Sequence, residues 1–311
     1  MIPEFLPPLL SSLRGKILWN EPLSAHTSLK VGGRVHAYIF PKDVKEVCDL
    51  IHALEKNHAH YKVLGDGSNF LPTDEDFSGV ILNLAALDEI SILEETPERI
   101  LVQVGAGVSK QKLLFWAASK GFSGIEFLSG IPGQVGGGLF MNAGTHLGSF
   151  SDVAKKVFLV TQKGEVEEKA LGSDDFSYRA QSFSKNKIIV DCVLRFTHGN
   201  PKEIEEKVKK MIAERKAAQP LNTPNCGSVF KNPNGNSAGK LIESAGLKEY
   251  RVGNAMVSPK HANFIVNLGG ATAKDILSII QHVKKTVKEL KGVELQEEVV
   301  IAPSSHSARC S

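Results

Sequence analysis

Two glycine-rich segments and a handful of separated polar side chains are the parts of this 311-residue sequence whose types and spacing could do chemistry. The run LGDGSN at 64 to 69 follows a strand-like YKVL. It offers successive backbone N–H groups and the Ser68 hydroxyl, the means by which a backbone nest binds an anion such as a pyrophosphate. It lacks the G-K-[ST] of a P-loop and the third glycine of G-x-G-x-x-G, and alone it reads as a plain turn. The second segment, SGIPGQVGGG at 129 to 138 with MNAG at 141 to 144, resists that reading. An interior glycine costs roughly 0.5 to 1 kcal/mol against alanine, and a large flat ligand lying against bare backbone would offset three in a row. Half of the 28 glycines fall between positions 61 and 148, which concentrates this property in one part of the chain.

The C-terminal third supplies side chains instead. CGSVFKNP at 226 to 233 brings Ser228, Lys231 and Asn232 together, Lys240 follows in AGKLIESAG, and VELQEEVV at 293 to 300 carries the adjacent carboxylates Glu297 and Glu298. Arg179 lies between the two halves in SYRAQSF. Taken singly, Ser228 reads as a hydrogen-bonded strand serine, Glu298 as a solvated strand end and Arg179 as a surface arginine. There is no G-x-S-x-G, so a serine hydrolase is not indicated. The cysteines, Cys48, Cys192, Cys226 and Cys310, include no C-x-x-C, and the ten histidines form no H-x-x-x-H, so neither a disulfide framework nor a metal site is expected.

These residues need elements to hold them. Pro41 opens a helix with Val44, Val47, Cys48, Ile51 and Leu54 on one face. Strands are expected at 61–64, 80–84, 100–104, 157–161 and 188–196, with a helix from an N-cap at Ser109 to Lys120, just before Gly121. After a break at 198–200, Pro201 starts a helix with a stripe of Ile204, Val208, Met211 and Ile212. Short strands follow at 228–230, 255–258 and 263–267. Thr272 and Asp275 then form a capping box for a helix with core face Ile276, Ile280, Val283, Val287 and Leu290. The pattern is α+β in two domains, 17–198 and 199–303, with a disordered tail at 304–311.

Composition agrees with a soluble globular chain: 42% hydrophobic, 23% charged, net charge +3. That charge is too small to imply a nucleic-acid or membrane partner. The N-terminal MIPEFLPPLLSSLRGK lacks the basic and apolar segments of a signal peptide, so the cytoplasm is the expected location.

Eight segments in order raise the separate signals to a specific one. HTSLKVGG (26–33), LGDGSN, EFLSGIPGQVGGGLFMNAG (126–144), SYRAQSF (177–183), QPLNTPNCGSVFKNP (219–233), AGKLIESAGLK (238–248), VSPKHANFIVN (257–267) and LQEEV (295–299) resemble the UDP-N-acetylenolpyruvoylglucosamine reductase (MurB) family across about 26 to 301. The resemblance implies a p-cresol methylhydroxylase-type FAD-binding domain followed by a C-terminal α+β substrate-binding domain. FAD, held non-covalently, would lie against Gly65, Asp66, Gly67, Ser68 and Asn69, against Ile131, Pro132, Gly133, Gly136 and Gly137, and along Asn142, Ala143 and Gly144. The catalytic trio carried over is Arg179, Ser228 and Glu298; Tyr178, Lys216, Lys231, Asn232 and Lys240 would bind the UDP-sugar. NADPH would be the reductant and the enzyme a monomer acting on small molecules in peptidoglycan synthesis.

The sequence departs from the family pattern at Asp66, where glycine is usual, at Gln296, and at Val300, where a cation is frequent. It also leaves no room between Arg179 and Ser228 for the tyrosine-bearing lid of one branch, so the sugar diphosphate would be held by fixed cations. Two other readings stand beside this one: a flavoprotein oxidase or dehydrogenase of the same fold, which would not need the Ser228 and Glu298 segments, and a non-catalytic nucleotide-binding protein, which would purify without flavin.

Overall fold

The structure is a computed structural model and describes residues 6–11 and 13–302. The expected tail, 304–311, lies outside the described residues.

Three layers position the cleft. The first is a four-stranded sheet in the order Lys16–Pro22, Arg34–Phe40, Phe77–Leu82, Tyr61–Val63, whose last two pairings are parallel. The parallel connection between Arg34–Phe40 and the Tyr61 strand is made by helix Val44–Lys56, capped by Asp43, whose side chain accepts from the Glu46 amide at 2.9 Å. Val47, Ile51 and Leu54 are buried along the face their spacing sets. The second layer is antiparallel, in the order Val166–Ala170, Ala154–Val160, Ile188–His198, Ile100–Gly105, Ile90–Glu95. Ile188–His198 is eleven residues long, because its apolar run is buried on both faces and its neighbours pair along its whole length.

Helix Lys110–Ser119 is capped by Ser109, and helix Pro201–Ala218 starts with Asn200 as cap. The second buries Ile204 and Val208 in the same core as Leu113, Leu114 and Phe122, so it packs with the first sheets although it follows residue 199. Met211 and Ile212, also expected on its apolar stripe, are only half buried, and Met211 faces the cleft.

The third layer is the strands Arg251–Val252, Ala255–Val257 and Ile265–Asn267 under helix Ala273–Lys291. The Thr272 and Asp275 capping box is present, and Asp74 from the first half accepts from the Ala273 and Lys274 amides at 2.7 and 2.9 Å. Ile276, Ile280, Val283 and Val287 are buried, but Leu290 is 61% exposed; Ile279, at 0%, takes the core position instead. The helix ends at Lys291 on left-handed Gly292. Residues 228–230 form no regular strand: Phe230 makes an isolated bridge to Glu297, which is enough to align those two segments. Leu29, Val31 and Leu71 from the first half enter the core of this layer. Among the described residues, no helix is long and apolar enough to cross a membrane.

Candidate active site

The layers enclose a cleft of about 1670 Å³, above the ~300 to 1,000 Å³ that suits one drug-sized ligand. Its walls are the two glycine segments, the turn 142–149, the pair Tyr178 and Arg179, the start of the 226–237 segment, and Glu298.

The first glycine loop is fixed from behind. Gly67, at φ +58°, sits so close to the His26 carbonyl that an added Cβ would fall 2.4 Å from it. Its own carbonyl accepts from the Ser28 amide (3.2 Å) and hydroxyl (3.1 Å), which explains the place of HTSLKVGG in the ordered set. Asn83 donates to the Gly65 carbonyl at 3.0 Å. Asn69 donates its side-chain amide to the Glu298 carbonyl (3.1 Å), and its carbonyl accepts from the Val300 amide (3.1 Å).

The second loop runs beside residues 106–110. Amides of Lys110, Val135 and Gly136 bond to the carbonyls of Gly133, Val108 and Ala106 at 2.8 to 2.9 Å. The three consecutive glycines divide their reasons. A Cβ on Gly136 would lie 2.9 Å from the Ala106 Cβ, and one on Gly138 2.4 Å from the Phe150 ring; only at Gly137 is there nothing within 4 Å. Two of the three are therefore required by the protein's own packing, and one leaves bare backbone exposed on the cleft wall. Ile131 and Pro132 also line the cleft. Asn142, at φ +39°, uses its side chain internally, donating to the Ser177 carbonyl (3.0 Å) and accepting from the Ser151 amide (3.0 Å). That ties the turn carrying Ala143 and Gly144 to the segment carrying Arg179.

The catalytic trio of the sequence reading converges on this cleft. Arg179, at φ +57°, donates from Nε to Glu298 Oε1 at 2.7 Å and from Nη2 to the Gly144 carbonyl at 3.1 Å, and lies over the Tyr178 ring at 5.1 Å. Burial pushes the Glu298 carboxyl above the usual carboxylate range, with the positive charges of Arg179 and Lys231 opposing it. Glu297 turns the other way and pairs with Lys284 at 2.7 Å, so the two adjacent carboxylates have separate surroundings. Ser228 is brought beside Glu298 by the Phe230 to Glu297 bridge and the bond from the Glu298 amide to the Val229 carbonyl (2.8 Å). Its hydroxyl has no hydrogen-bond partner among the described residues. Cys226, two residues earlier, is no rival donor: burial pushes its thiol up to about 12.

Tyr178 is 53% exposed over the cleft, and its hydroxyl accepts from the Asn232 amide at 3.4 Å. Asn232 lines the cleft and caps the Ala238 amide at 3.0 Å. The three expected lysines do not line it. Lys216 and Lys240 are exposed elsewhere, and Lys231, half buried, acts on the site only through its charge on Glu298. Besides Arg179, the wall carries cations that the sequence reading passed over, Arg215 and Lys110 among them. Arg215, one residue before Lys216, lies against Gly130, and its Nε is buried without a partner. Burial and the nearby Arg179 hold its pKa below the usual arginine range. Lys110 is 5% exposed, at the junction of the two glycine loops. Arg215 sits in an alternating charge run that reads as a solvated face, and nothing local marks it; Lys110 could have been noticed as a cation at the first turn of a helix, where the dipole disfavours it.

A large cleft, a bare backbone patch, the buried Lys110 and the half-buried Arg215 with its unpartnered Nε suit a flat anionic dinucleotide. Comparisons with known proteins agree. A family model described as an FAD binding domain matches residues 35–169, and one described as the C-terminal domain of UDP-N-acetylenolpyruvoylglucosamine reductase matches 219–302. The UDP-N-acetylenolpyruvoylglucosamine reductase of Bacillus subtilis is 40% identical over 290 residues, 92% of this chain and 94% of that one. That of Geobacter metallireducens is 39% identical over 298 residues, 96% and 98% of the two chains. The crystal structure of the enzyme from Thermus caldophilus superposes with a TM-score of 0.78 at 33% identity, covering 94% of this chain and all of that one.

Proposed function

The chain belongs to the UDP-N-acetylenolpyruvoylglucosamine reductase family, and on that premise we propose that it uses NADPH and non-covalently bound FAD to reduce the enolpyruvyl ether of UDP-N-acetylglucosamine to UDP-N-acetylmuramate for peptidoglycan. The observation that carries the reading is the Arg179 to Glu298 pair, with the free Ser228 hydroxyl beside it, in the same cleft as the two glycine loops.

The glycine loops, Gly137 and the turn 142–144 would hold the FAD. When bound, it supplies the hydride that NADPH delivers to it. The remainder falls to the chain's own side chains. Reducing the enol ether adds a hydride equivalent at its terminal carbon and a proton at the adjacent one. Between the two, negative charge moves into the substrate carboxylate, and stabilising that charge sets the barrier. Arg179 is the cation for it. An arriving carboxylate would compete with Glu298 for the guanidinium, and burial then favours the protonated form of Glu298, which can donate a hydrogen bond to the enolate. Ser228 hands its proton to the remaining carbon. Its high intrinsic pKa is no obstacle because the enolate is a strong base.

With no lid segment between Arg179 and Ser228, the UDP-sugar diphosphate would meet fixed groups: Arg215 on the wall, with Asn232 and Tyr178 at the rim. Lys231 contributes at longer range, and Lys216 and Lys240 have the weaker claim of exposed cations. We take the enzyme to act as a cytoplasmic monomer. The test is NADPH oxidation by the purified yellow protein with and without the enolpyruvyl UDP-sugar: substrate-dependent turnover to UDP-N-acetylmuramate is expected. Steady NADPH oxidation with oxygen alone and none with the sugar would favour the oxidase reading, and a colourless protein the non-catalytic one.

A further inference from the structure

Lys110 has a position that helix chemistry alone does not account for. It occupies the first turn of helix Lys110–Ser119, where a positive charge faces the positive end of the dipole, and it is buried. Its Nζ has neither a hydrogen bond nor an ion pair among the described residues, while the residue lines the cleft. Its place is marked by Gly133, at φ +101°: a Cβ there would lie 2.8 Å from Ser68 Oγ and 3.3 Å from Lys110 Nζ. Backbone of the second loop, hydroxyl of the first and the ammonium thus meet at one point. The charges facing Lys110 are Asp66, which favours its protonated form, and Arg215 and Arg179, which oppose it. Burial pushes the Asp66 carboxyl above the usual carboxylate range, with the Lys110 charge and the Gln134 side chain opposing it.

We propose that Lys110 binds the diphosphate of FAD at the junction of the two glycine loops, and that Asp66 on the first loop is its counter-charge. The assignment rests on the FAD reading and adds to it a chain-specific residue pair. It turns Asp66 from a departure that repels phosphate into half of a compensated pair: the acid alone would weaken a nest for anions, and the lysine alone would be an unpaired buried charge.

A double-substitution cycle read by FAD affinity separates the possibilities. Cofactor-free protein is titrated with FAD by flavin fluorescence quenching, and in parallel with riboflavin, which has the ring system and no phosphate. Lys110→Met should weaken FAD about ten- to hundredfold and leave riboflavin unchanged. Asp66→Asn should tighten FAD in the parent, and should have a different effect in the Lys110→Met background, showing coupling between the two sites. Lys110→Arg, which keeps the charge, should retain most of the affinity and covers the case in which the methionine variant folds poorly. Equal FAD affinity in the parent and Lys110→Met, or equal losses of FAD and riboflavin, would overturn the assignment. A parent protein that binds no FAD would instead overturn the functional reading beneath it.

Discussion

The two ends of the cleft are built on different principles. The end at the glycine loops is made of backbone: Gly67 pressed against His26, segment 133–136 laddered onto 106–110, and bare Gly137. Its groups are fixed by the fold itself and reach their positions without rotamer freedom to lose. The end at Ser228 is made of side chains carried by separate pieces of chain, and an ion pair rather than a ladder holds Arg179 to Glu298. A cofactor that stays through many turnovers suits the first kind of wall. A substrate whose charge changes during reaction needs the second, because only side chains can exchange partners and protons.

The sharpest way to break this contrast is at Ser228. Ser228→Ala should slow oxidation of the reduced flavin by the enolpyruvyl substrate by ~10² to 10⁴ and leave flavin reduction by NADPH near the parent rate. Stopped-flow traces of the two half-reactions decide it; an equal loss in both would make Ser228 part of the scaffold. Next comes Glu298. Glu298→Gln, which can still donate a hydrogen bond, should keep more of the substrate half-reaction than Glu298→Ala. Identical rates for the two would point to a charged carboxylate or to proton transfer in its place.

Smaller effects are expected among the glycines. Gly138→Ala, driving a methyl into the Phe150 ring, should destabilise the fold by ~1 to 3 kcal/mol in urea unfolding. Gly137→Ala meets nothing in the protein, so it should leave stability intact or slightly raised while weakening FAD. If both act through stability alone, the backbone wall carries no ligand. The flavin itself should come free on acid denaturation; retention would implicate His146, which lines the cleft beside the turn, as a covalent attachment point.

The smallest effect is a pH dependence. Burial lowers the Lys110 pKa to about 8, whereas an unfolded lysine titrates near ~10.4. Between those values the unfolded chain binds more protons, so Lys110 makes the cofactor-free protein more stable as pH rises through that window. FAD affinity should fall over the same range as the ammonium is lost. Subtracting the profiles of Lys110→Met isolates both trends, and parallel profiles would remove Lys110 from the account.

Much of this arrangement was legible before any coordinates, and the reason differs by element. Helix caps at Ser109, Asn200 and Thr272 follow local rules, and each helix starts where its cap sits. Leu290 misled because helical spacing says which face a residue shares but not whether packing covers that face as far as the helix end, where Leu290 is exposed. The glycine triplet was explained by a flat ligand, with Gly136 and Gly137 named as contacts, yet Gly136 and Gly138 answer to Ala106 and Phe150, neighbours that no local pattern discloses. Ser228, Arg179 and Glu298 could be singled out only through resemblance, since lone polar residues carry no periodicity. Arg215 escaped because its place against Gly130 is set by tertiary packing, whereas Lys110 left only the faint sign of a cation at a helix start.

The bond from Asn69 to the Glu298 carbonyl spans 229 residues, and the parallel bridge of Phe70 with Val300 closes the same circuit. Closing so long a loop costs entropy that no local contact returns, and chain growth from the ribosome is vectorial. The large core can gather while the C-terminal segments are still being made, but the first glycine loop waits for residues near 298 before its last anchor exists. Flavin capture should accordingly be a late event in biogenesis, and nascent chains stalled before residue 295 should be compact, protease-resistant in their first two-thirds, and colourless.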